Sequence, residues 1–387
     1  MRLLILSTEF PPGPGGIGTH AHQLALRLSQ TGIELLVLTP QDYVYDKEIA
    51  AFNHAQPFRV RRLRHIPFSP FEAAYRINAL DRAIRSFRPD WVMATGERSA
   101  WVAALVLKYR SIPWVAIGHG SEFGMGNRIE RSATRWSFHA ADAVVCVSRY
   151  TKTVMESKGI KPRATYVIHN GADIQRYKMI SDAEVTSIRQ KYDLQERFIL
   201  LTVGNVTPRK GQEVVIRAMP EILKSIPNAI YIMVGLPTIK EKLEELALLL
   251  GVQDHVRFLG RIDVDSLVQM YQACDVFLMT SRHADNGDFE GFGIAVIEAA
   301  LCGKPAIVSA GSGLEEAVLH NKTGIIVPEN DPSATAQAVI NLWHEERLRA
   351  EMGATAQQRA IQEHSWEYVA ARYRAILTGQ KGSSCVC

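Results

Sequence analysis

The stretch LLILSTEFPPGPGGIGTHAHQLALRL, residues 3–28, runs from an apolar segment through a Pro/Gly loop into Ala and Leu at helical spacing. Gly13-x-Gly15-x-x-Gly18 has the spacing of a dinucleotide fingerprint. That fingerprint needs a tight strand-to-helix turn and an acid at the end of the second strand to bind ribose hydroxyls. Here Pro11, Pro12 and Pro14 lengthen the turn, the nearest following acid, Asp42, lies beyond Pro40, and Glu34 sits at the wrong end of the strand. A nicotinamide or flavin site is therefore not expected. Gly15 and Gly16 instead let backbone N–H groups approach an anion just ahead of a helix whose dipole reinforces them, and a phosphate is the natural guest. The bland alternative is a plain loop that needs positive φ.

Outward from this loop, apolar runs alternate with amphipathic stretches. LLILS (3–7), ELLVLT (34–39), WVMAT (91–95), WVAIGH (114–119) and AVVCVS (143–148) read as buried parallel strands with helices between them. The pattern restarts with FILLTVG (198–204), AIYIMVG (229–235), VRFLG (256–260), DVFLMT (275–280), PAIVSA (305–310) and GIIVP (324–328). The expected fold is α/β, two doubly wound Rossmann-like domains facing a central cleft, residues 1–175 and 176–365. A last helix at about 366–380 is expected to pack back on the first domain. A chain of 387 residues also exceeds what one core usually serves. Ligands in such sheets bind beyond the carboxyl ends of the strands.

Hydrophobic residues make up 47% and charged residues 22%, a globular balance, and no run of 18 apolar residues offers a membrane span. MRLLILSTEF reads as a first strand and not as a signal peptide. Five scattered cysteines, at 146, 274, 302, 385 and 387, have no zinc spacing and fit a reducing cytoplasm. The tail SSCVC fails the prenylation pattern because its last four residues begin with Ser384.

The net charge of +4 hides an asymmetry: residues 1–170 carry 22 Lys+Arg against 13 Asp+Glu, and the remainder 22 against 27. Arg59, Arg61, Arg62, Arg64, Arg76, Arg82, Arg85 and Arg88 interleave with apolar residues. Such a face suits an anionic membrane surface or a phosphorylated acceptor, against the alternative of a solvated helix beside an Arg-rich edge strand. No nucleic-acid reading module accompanies it. The expected location is cytoplasmic, with peripheral attachment to the inner membrane face.

Two segments carry chemistry in the second half. Arg209-Lys210-Gly211 stands at the start of a helix, where two cations oppose the helix dipole. An external polyanion such as a nucleotide diphosphate explains them, Arg as a bidentate fork and Lys as a compact charge. In Glu290-Gly-Phe-Gly-Ile-Ala-Val-Ile-Glu298, two carboxylates bracket a Gly-aromatic-Gly strand-to-helix junction. Backbone N–H groups of Phe292, Gly293 and Ile294 are placed to receive phosphate oxygens. Glu298 is suited to ribose hydroxyls and Glu290 to sugar hydroxyls. The Asp263-Val-Asp265 triplet precedes a helix and reads as an N-cap, not a metal site.

With these residues in view, the chain resembles the retaining glycosyltransferases of the GT-B fold, the large group 1 family (family 4) that uses nucleotide-sugar donors. The resemblance runs through GGIGTHAHQLA (15–25), GHGSE (118–122), VSRYT (147–151), IHNGAD (168–173), VGNVTPRKGQ (203–212), EGFGIAVIEAALCGKPAIVS (290–309) and GIIVPENDP (324–332). It implies that His119 lies near the reacting sugar, that Arg209 and Lys210 hold the diphosphate, that Glu290 orients the donor sugar and that Glu298 holds the ribose. Arg261 and Ile262 would offer backbone contacts to the base. The family commonly has Arg where this chain has Asn205, which weakens the diphosphate grip unless Arg209 replaces that charge.

The implied reaction moves a hexosyl unit from a UDP- or GDP-linked donor to a sugar or lipid-linked acceptor hydroxyl with retention, in glycan, glycolipid or cell-surface polysaccharide synthesis. It requires no metal and no other cofactor. A sugar-nucleotide epimerase, a phosphorylase and a non-catalytic nucleotide-sugar-binding protein remain as alternatives. The loops near 41–75 and 121–135 carry no motif that identifies the acceptor.

Overall fold

Leu3 and Ile5 belong to one buried cluster and Leu4 and Leu6 to another, the alternation of a strand covered on both faces. That strand, β1 (Arg2–Ser7), opens the first of two compact units, Met1–Gly171 with Trp366–Cys387; the second is Ala172–Ser365. The computed structural model describes residues 1–13, 15–40, 46–64 and 70–379. Cys385 and Cys387 of the tail, and residues 41–45 and 65–69 of the loops with no decodable motif, lie outside the described residues.

The first unit continues with α1 (Gly16–Ser29), β2 (Glu34–Pro40), α2 (Asp46–His54), β3 (Arg59–Leu63), α3 (Pro70–Phe87), β4 (Trp91–Thr95), α4 (Glu97–Leu107) and β5 (Trp114–Gly118). It then runs through α5 (Ser121–Gly124), α6 (Arg128–His139), β6 (Ala143–Cys146), α7 (Arg149–Ser157) and β7 (Thr165–Val167). All seven strands are parallel, in the order β3-β2-β1-β4-β5-β6-β7. The order reverses between β1 and β4, which makes their carboxyl ends the switch point where ligands bind in such sheets. One face is covered by Leu80, Ile84 and Phe87 of α3, by Ala103 and Leu107 of α4, and by Phe138 of α6. Leu24 and Leu28 of α1 pack on the other.

The second unit contains α8 (Asp182–Lys191), β8 (Phe198–Val203), α9 (Gln212–Ser225), β9 (Ala229–Val234), α10 (Lys240–Leu249), β10 (Val256–Gly260) and α11 (Val264–Ala273). There follow β11 (Val276–Met279), α12 (Ile294–Leu301), β12 (Ala306–Ser309), α13 (Leu314–Ala317), β13 (Gly324–Val327), α14 (Pro332–His344) and α15 (Glu346–Glu363). Its six parallel strands run β10-β9-β8-β11-β12-β13, with the reversal between β8 and β11. Val215, Met219 and Ile222 of α9, with Val339 and Leu342 of α14, bury one face.

The last helix, α16 (Trp366–Thr378), belongs to the first unit. Trp366, Val369, Tyr373 and Leu377 recur at helical spacing and are buried in the cluster that α1 also fills, and Arg27 of α1 pairs with Glu367 at 2.8 Å. Both units are therefore doubly wound Rossmann-like sheets.

Candidate functional site

In the second unit the two loops that leave the switch-point strands are stitched together. After β8 the chain makes a tight 3-10 turn at Pro208–Lys210 and enters α9 through Gly211, whose φ is 67°. A Cβ at Gly211 would overlap the Thr280 carbonyl, so only glycine allows this approach. The Thr280 hydroxyl donates to the Gly211 carbonyl at 2.9 Å, and the Arg282 N–H to the Arg209 carbonyl at 2.7 Å.

This stitching brings together residues far apart in the chain. Arg209 Nη1 and Lys210 Nζ both donate to Glu290 Oε2, each at 2.6 Å, and Arg209 Nε meets Asp288 at 2.9 Å. The Glu290 side chain is 12% exposed. Burial alone would raise its pKa, but the charges of Lys210 and Arg209 override that and hold it at about 2. An internal carboxylate thus already pairs with the two cations that the sequence assigns to a diphosphate. A diphosphate at this spot would compete with Glu290 for them.

Glu290 is followed by the α12 junction. Its carbonyl accepts from Gly313 N–H at 3.0 Å, and Gly293, at φ 92°, is the residue before the helix. A Cβ on Gly293 would press on a Leu314 methyl. Among the described residues the N–H groups of Gly293 and Ile294 have no acceptor, which leaves the positive end of α12 open. Phe292 is buried, with its ring 5.5 Å from that of His364. Glu298 lies on α12, half-buried, and its Oε2 accepts from the Tyr271 hydroxyl at 2.7 Å.

Arg261 and Ile262 follow β10, the edge strand two positions from β8, and take no part in the Glu290 cluster. Asn205 accepts from Leu236 N–H at 3.3 Å through its side chain, so that position is used to fasten the loop after β9. Asp263 caps α11, accepting from Ser266 N–H at 2.9 Å.

In the first unit, His119 follows β5 directly. Its Nε2 is 2.7 Å from the Thr95 hydroxyl at the end of β4, and its backbone N–H donates to Glu122 at 2.7 Å. Burial lowers the His119 pKa to about 4, so the ring is neutral at pH 7. Burial likewise pushes the Glu122 carboxyl up to about 7, against the backbone N–H bonds that it accepts. Gly15, with φ at 140°, precedes α1, and a side chain there would run into Glu9; a Cβ on Gly16 would meet open space.

Sequence reasoning missed the partners of His119. Fully buried His20 of α1 sets its ring edge-on to His119, with centroids 5.0 Å apart, and its Nε2 is 3.3 Å from the Tyr373 hydroxyl. Thr95, ending the apolar run WVMAT, and Glu122, in the GHGSE segment that leads from β5 into α5, were visible as polar residues next to buried strands. His20 gave no such signal inside an ordinary amphipathic helix.

The basic segment is more occupied than its charge implies. Arg59 pairs with Glu34 at 2.6 Å, Arg76 with Glu72 at 2.5 Å and Arg85 with Asp81 at 2.9 Å. Arg62 reaches Asn53 and the carbonyls of Phe10 and Pro11, thereby bracing the loop that leads to Gly15. Among the described residues, Arg61, Arg64, Arg82 and Arg88 of this segment form no ion pair, nor do Arg98, Lys108, Arg128, Arg131 and Arg135 on and beside α4 and α6. Among the described residues no helix is long and apolar enough to cross a membrane.

Comparison with known proteins agrees with this architecture. The family model for glycosyl transferases group 1 matches residues 184–359, and that for glycosyltransferase family 4 matches residues 14–176. A GDP-mannose-dependent alpha-(1-6)-phosphatidylinositol monomannoside mannosyltransferase of Mycolicibacterium smegmatis is 30% identical over 98% of this chain and 99% of its own. Its counterpart in Mycobacterium tuberculosis is 28% identical over 98% of each. Among solved structures, Anabaena HepE in complex with UDP and glucose superposes with a TM-score of 0.82 at 22% identity, covering 98% of this chain and 100% of that one. Sucrose-phosphate synthase of Thermosynechococcus elongatus gives 0.83 at 21%, covering 99% and 100%.

Proposed function

This chain belongs to the group 1, family 4 glycosyltransferases, and from that premise we propose that it moves a mannosyl unit from GDP-mannose to a hydroxyl of a lipid-linked acceptor. The observation that carries the donor half of this reading is the cluster of Arg209, Lys210 and Glu290 beside the open N-terminus of α12. The choice of GDP-mannose and of a lipid-linked acceptor draws on the mycobacterial relatives.

In this reading the donor diphosphate takes over Lys210 and Arg209 and accepts from the Gly293 and Ile294 N–H groups. Phe292 contributes its backbone at the same junction. Those fixed donors neutralise the charge that grows on the leaving GDP as the glycosidic bond stretches, without reorganisation at the moment of reaction. Glu290, released from part of its cation pairing, binds the sugar hydroxyls. Glu298 takes the ribose, and the Arg261-Ile262 backbone takes the base. Asn205 adds no charge, so Arg209 supplies the second cation. In the first unit, taken by itself, His119 is neutral and Thr95 holds its Nε2, which leaves Nδ1 for a sugar hydroxyl, and the Gly15-Gly16 turn is suited to offering N–H groups to a phosphate. Attack comes from the face that GDP leaves, through an oxocarbenium-like transition state with the departing phosphate taking the acceptor proton, so configuration is retained. Protein cations do the electrostatic work here, and no divalent metal is required.

The same reading includes a contact with an anionic membrane surface. Ile129 (80% exposed), Trp136 and Leu105 lie on α6 and α4 together with Arg98, Arg128, Arg131 and Arg135. Apolar and aromatic groups set among unpaired cations suit a headgroup region better than bulk water.

The test is incubation of the protein with GDP-mannose and a panel of polyprenyl- and phosphatidylinositol-based acceptors. Mannosylated lipid with GDP released in equal amount, and an α-anomeric product by NMR, supports the reading. Free epimerised sugar, phosphate-dependent cleavage, or donor binding with no product across the panel would overturn it.

A further inference from the structure

Glu298 is held from its buried side by a pair of tyrosines. Tyr271 on α11 is fully buried, and its hydroxyl donates to Glu298 Oε2 at 2.7 Å. Tyr177, also buried, packs edge-to-face on Tyr271, with centroids 5.5 Å apart and planes at 89°. Burial and the nearby Glu298 charge push both phenols far above their ordinary ionisation range, so both stay protonated as donors.

A purely packing role for Tyr271 would be served by phenylalanine, because a buried hydroxyl costs desolvation unless it is matched. Here it is matched by a carboxylate, and hydrogen bonds to a charged acceptor are the stronger and more directional kind. Tyr271 fixes one oxygen of the Glu298 carboxylate and the Tyr177 phenol adds a second side-chain hydrogen bond to it, both acting against the burial that raises the Glu298 pKa. Long carboxylate side chains on helices otherwise sample several rotamers, and pinning one oxygen removes that freedom before a ligand arrives.

We infer that Tyr271, buttressed by Tyr177, is a positioning residue for ribose recognition, fixing the Glu298 carboxylate so that it accepts the 2′- and 3′-hydroxyls of a bound nucleoside diphosphate. The inference rests on the proposed ribose role of Glu298 and adds the device that makes that role selective. Neither tyrosine touches the nucleotide; both act through the carboxylate.

Ribose discrimination is the readout that a merely structural tyrosine would not move. Calorimetry would compare GDP with 2′,3′-dideoxy-GDP on the intact protein and on Tyr271→Phe, Tyr177→Phe and Glu298→Gln. Tyr231→Phe serves as a control, because Tyr231 is equally buried but donates to Thr202 at 2.8 Å, away from Glu298. The intact protein is expected to prefer GDP by about 10- to 100-fold, the range of hydrogen bonds to a charged group. Tyr271→Phe should cut that preference at least fivefold while leaving dideoxy-GDP affinity unchanged, and Tyr231→Phe should preserve it. Full preference retained in Tyr271→Phe, with collapse in Glu298→Gln, overturns this inference and leaves the ribose reading standing. Preference unaffected by Glu298→Gln overturns the ribose reading itself. If Tyr271→Phe does not fold, the same comparison on Tyr177→Phe decides: a preference cut at least twofold supports the inference, and an unchanged one overturns it.

Discussion

Removing the charge of Glu290 should weaken the fold and tighten nucleotide binding at the same time. A carboxylate whose folded pKa lies below its unfolded value contributes stability above the unfolded value and loses it as pH falls through the folded one. For Glu290 that window runs from 4.5 down to about 2. The displacement is worth about 3 kcal/mol at neutral pH. Glu290→Gln leaves Arg209 with Asp288 alone and Lys210 without a carboxylate, and stranding a buried charge costs about 3 kcal/mol or more. At roughly 2–4 °C per kcal/mol for a unit of this size, the melting transition should fall by roughly 6–12 °C. The freed cations no longer have to leave Glu290 before meeting a diphosphate. GDP should therefore bind the variant about five- to tenfold tighter, equivalent to about 1 kcal/mol, and restore more of its melting temperature than it adds to the unmodified protein. Mannosyl transfer should fall by about 100-fold or more, because sugar orientation is lost. Differential scanning calorimetry with and without GDP, alongside a transfer assay, measures all three. A variant as stable as the parent, binding GDP no tighter and transferring at the same rate, would refute the reasoning.

Lys210→Ala should weaken GDP binding by about 10- to 100-fold, the loss of a charge-assisted bond, while EDTA leaves transfer unchanged; calorimetry and a chelated assay check both. With its pKa at about 4, His119 should not appear as a titrating group in the transfer rate between pH 5.5 and 8, and its ring resonances should titrate only below that range. For the same group the sign runs toward lower stability in acid, because the unfolded chain takes up a proton near 6.5 that the folded ring refuses until about 4. Reversing Arg128, Arg131 and Arg135 to Glu should abolish salt-sensitive adsorption to phosphatidylglycerol vesicles in a flotation assay; unchanged adsorption would remove α6 from that surface.

The fold was legible because parallel strands buried on both faces read as unbroken apolar runs, and the strand at FILLTV or AIYIMV needed no further context. RVRRL was harder: β3 is an edge strand in which Arg59 pairs with Glu34 and Arg62 reaches Asn53 and loop carbonyls, so from the sequence its charge fitted a binding face and a sheet margin equally well. β7 is three residues long and half-buried, too short for a pattern to register. Within the candidate site, Glu290 and Glu298 stood out because glycines punctuate the junction between them. Their partners did not. Arg209 and Lys210 meet Glu290 across 80 or 81 residues of sequence, and Tyr271 meets Glu298 across 27. Spacing rules reach one turn of helix or one strand pair, whereas the Glu290 contacts are created by the order β8-β11 at the switch point and the Glu298 contact by the packing of α11 on α12. The pairing also changes the chemistry, from cations that wait for an anion to cations that exchange one anion for another.

A crystal structure of the protein with GDP-mannose bound tests the account most directly. It should show the diphosphate within hydrogen-bond distance of Lys210 Nζ and of the Gly293 and Ile294 N–H groups, with the Glu290 carboxylate turned toward the sugar. A donor whose diphosphate lies elsewhere, with Arg209 and Lys210 still locked on Glu290, would contradict it.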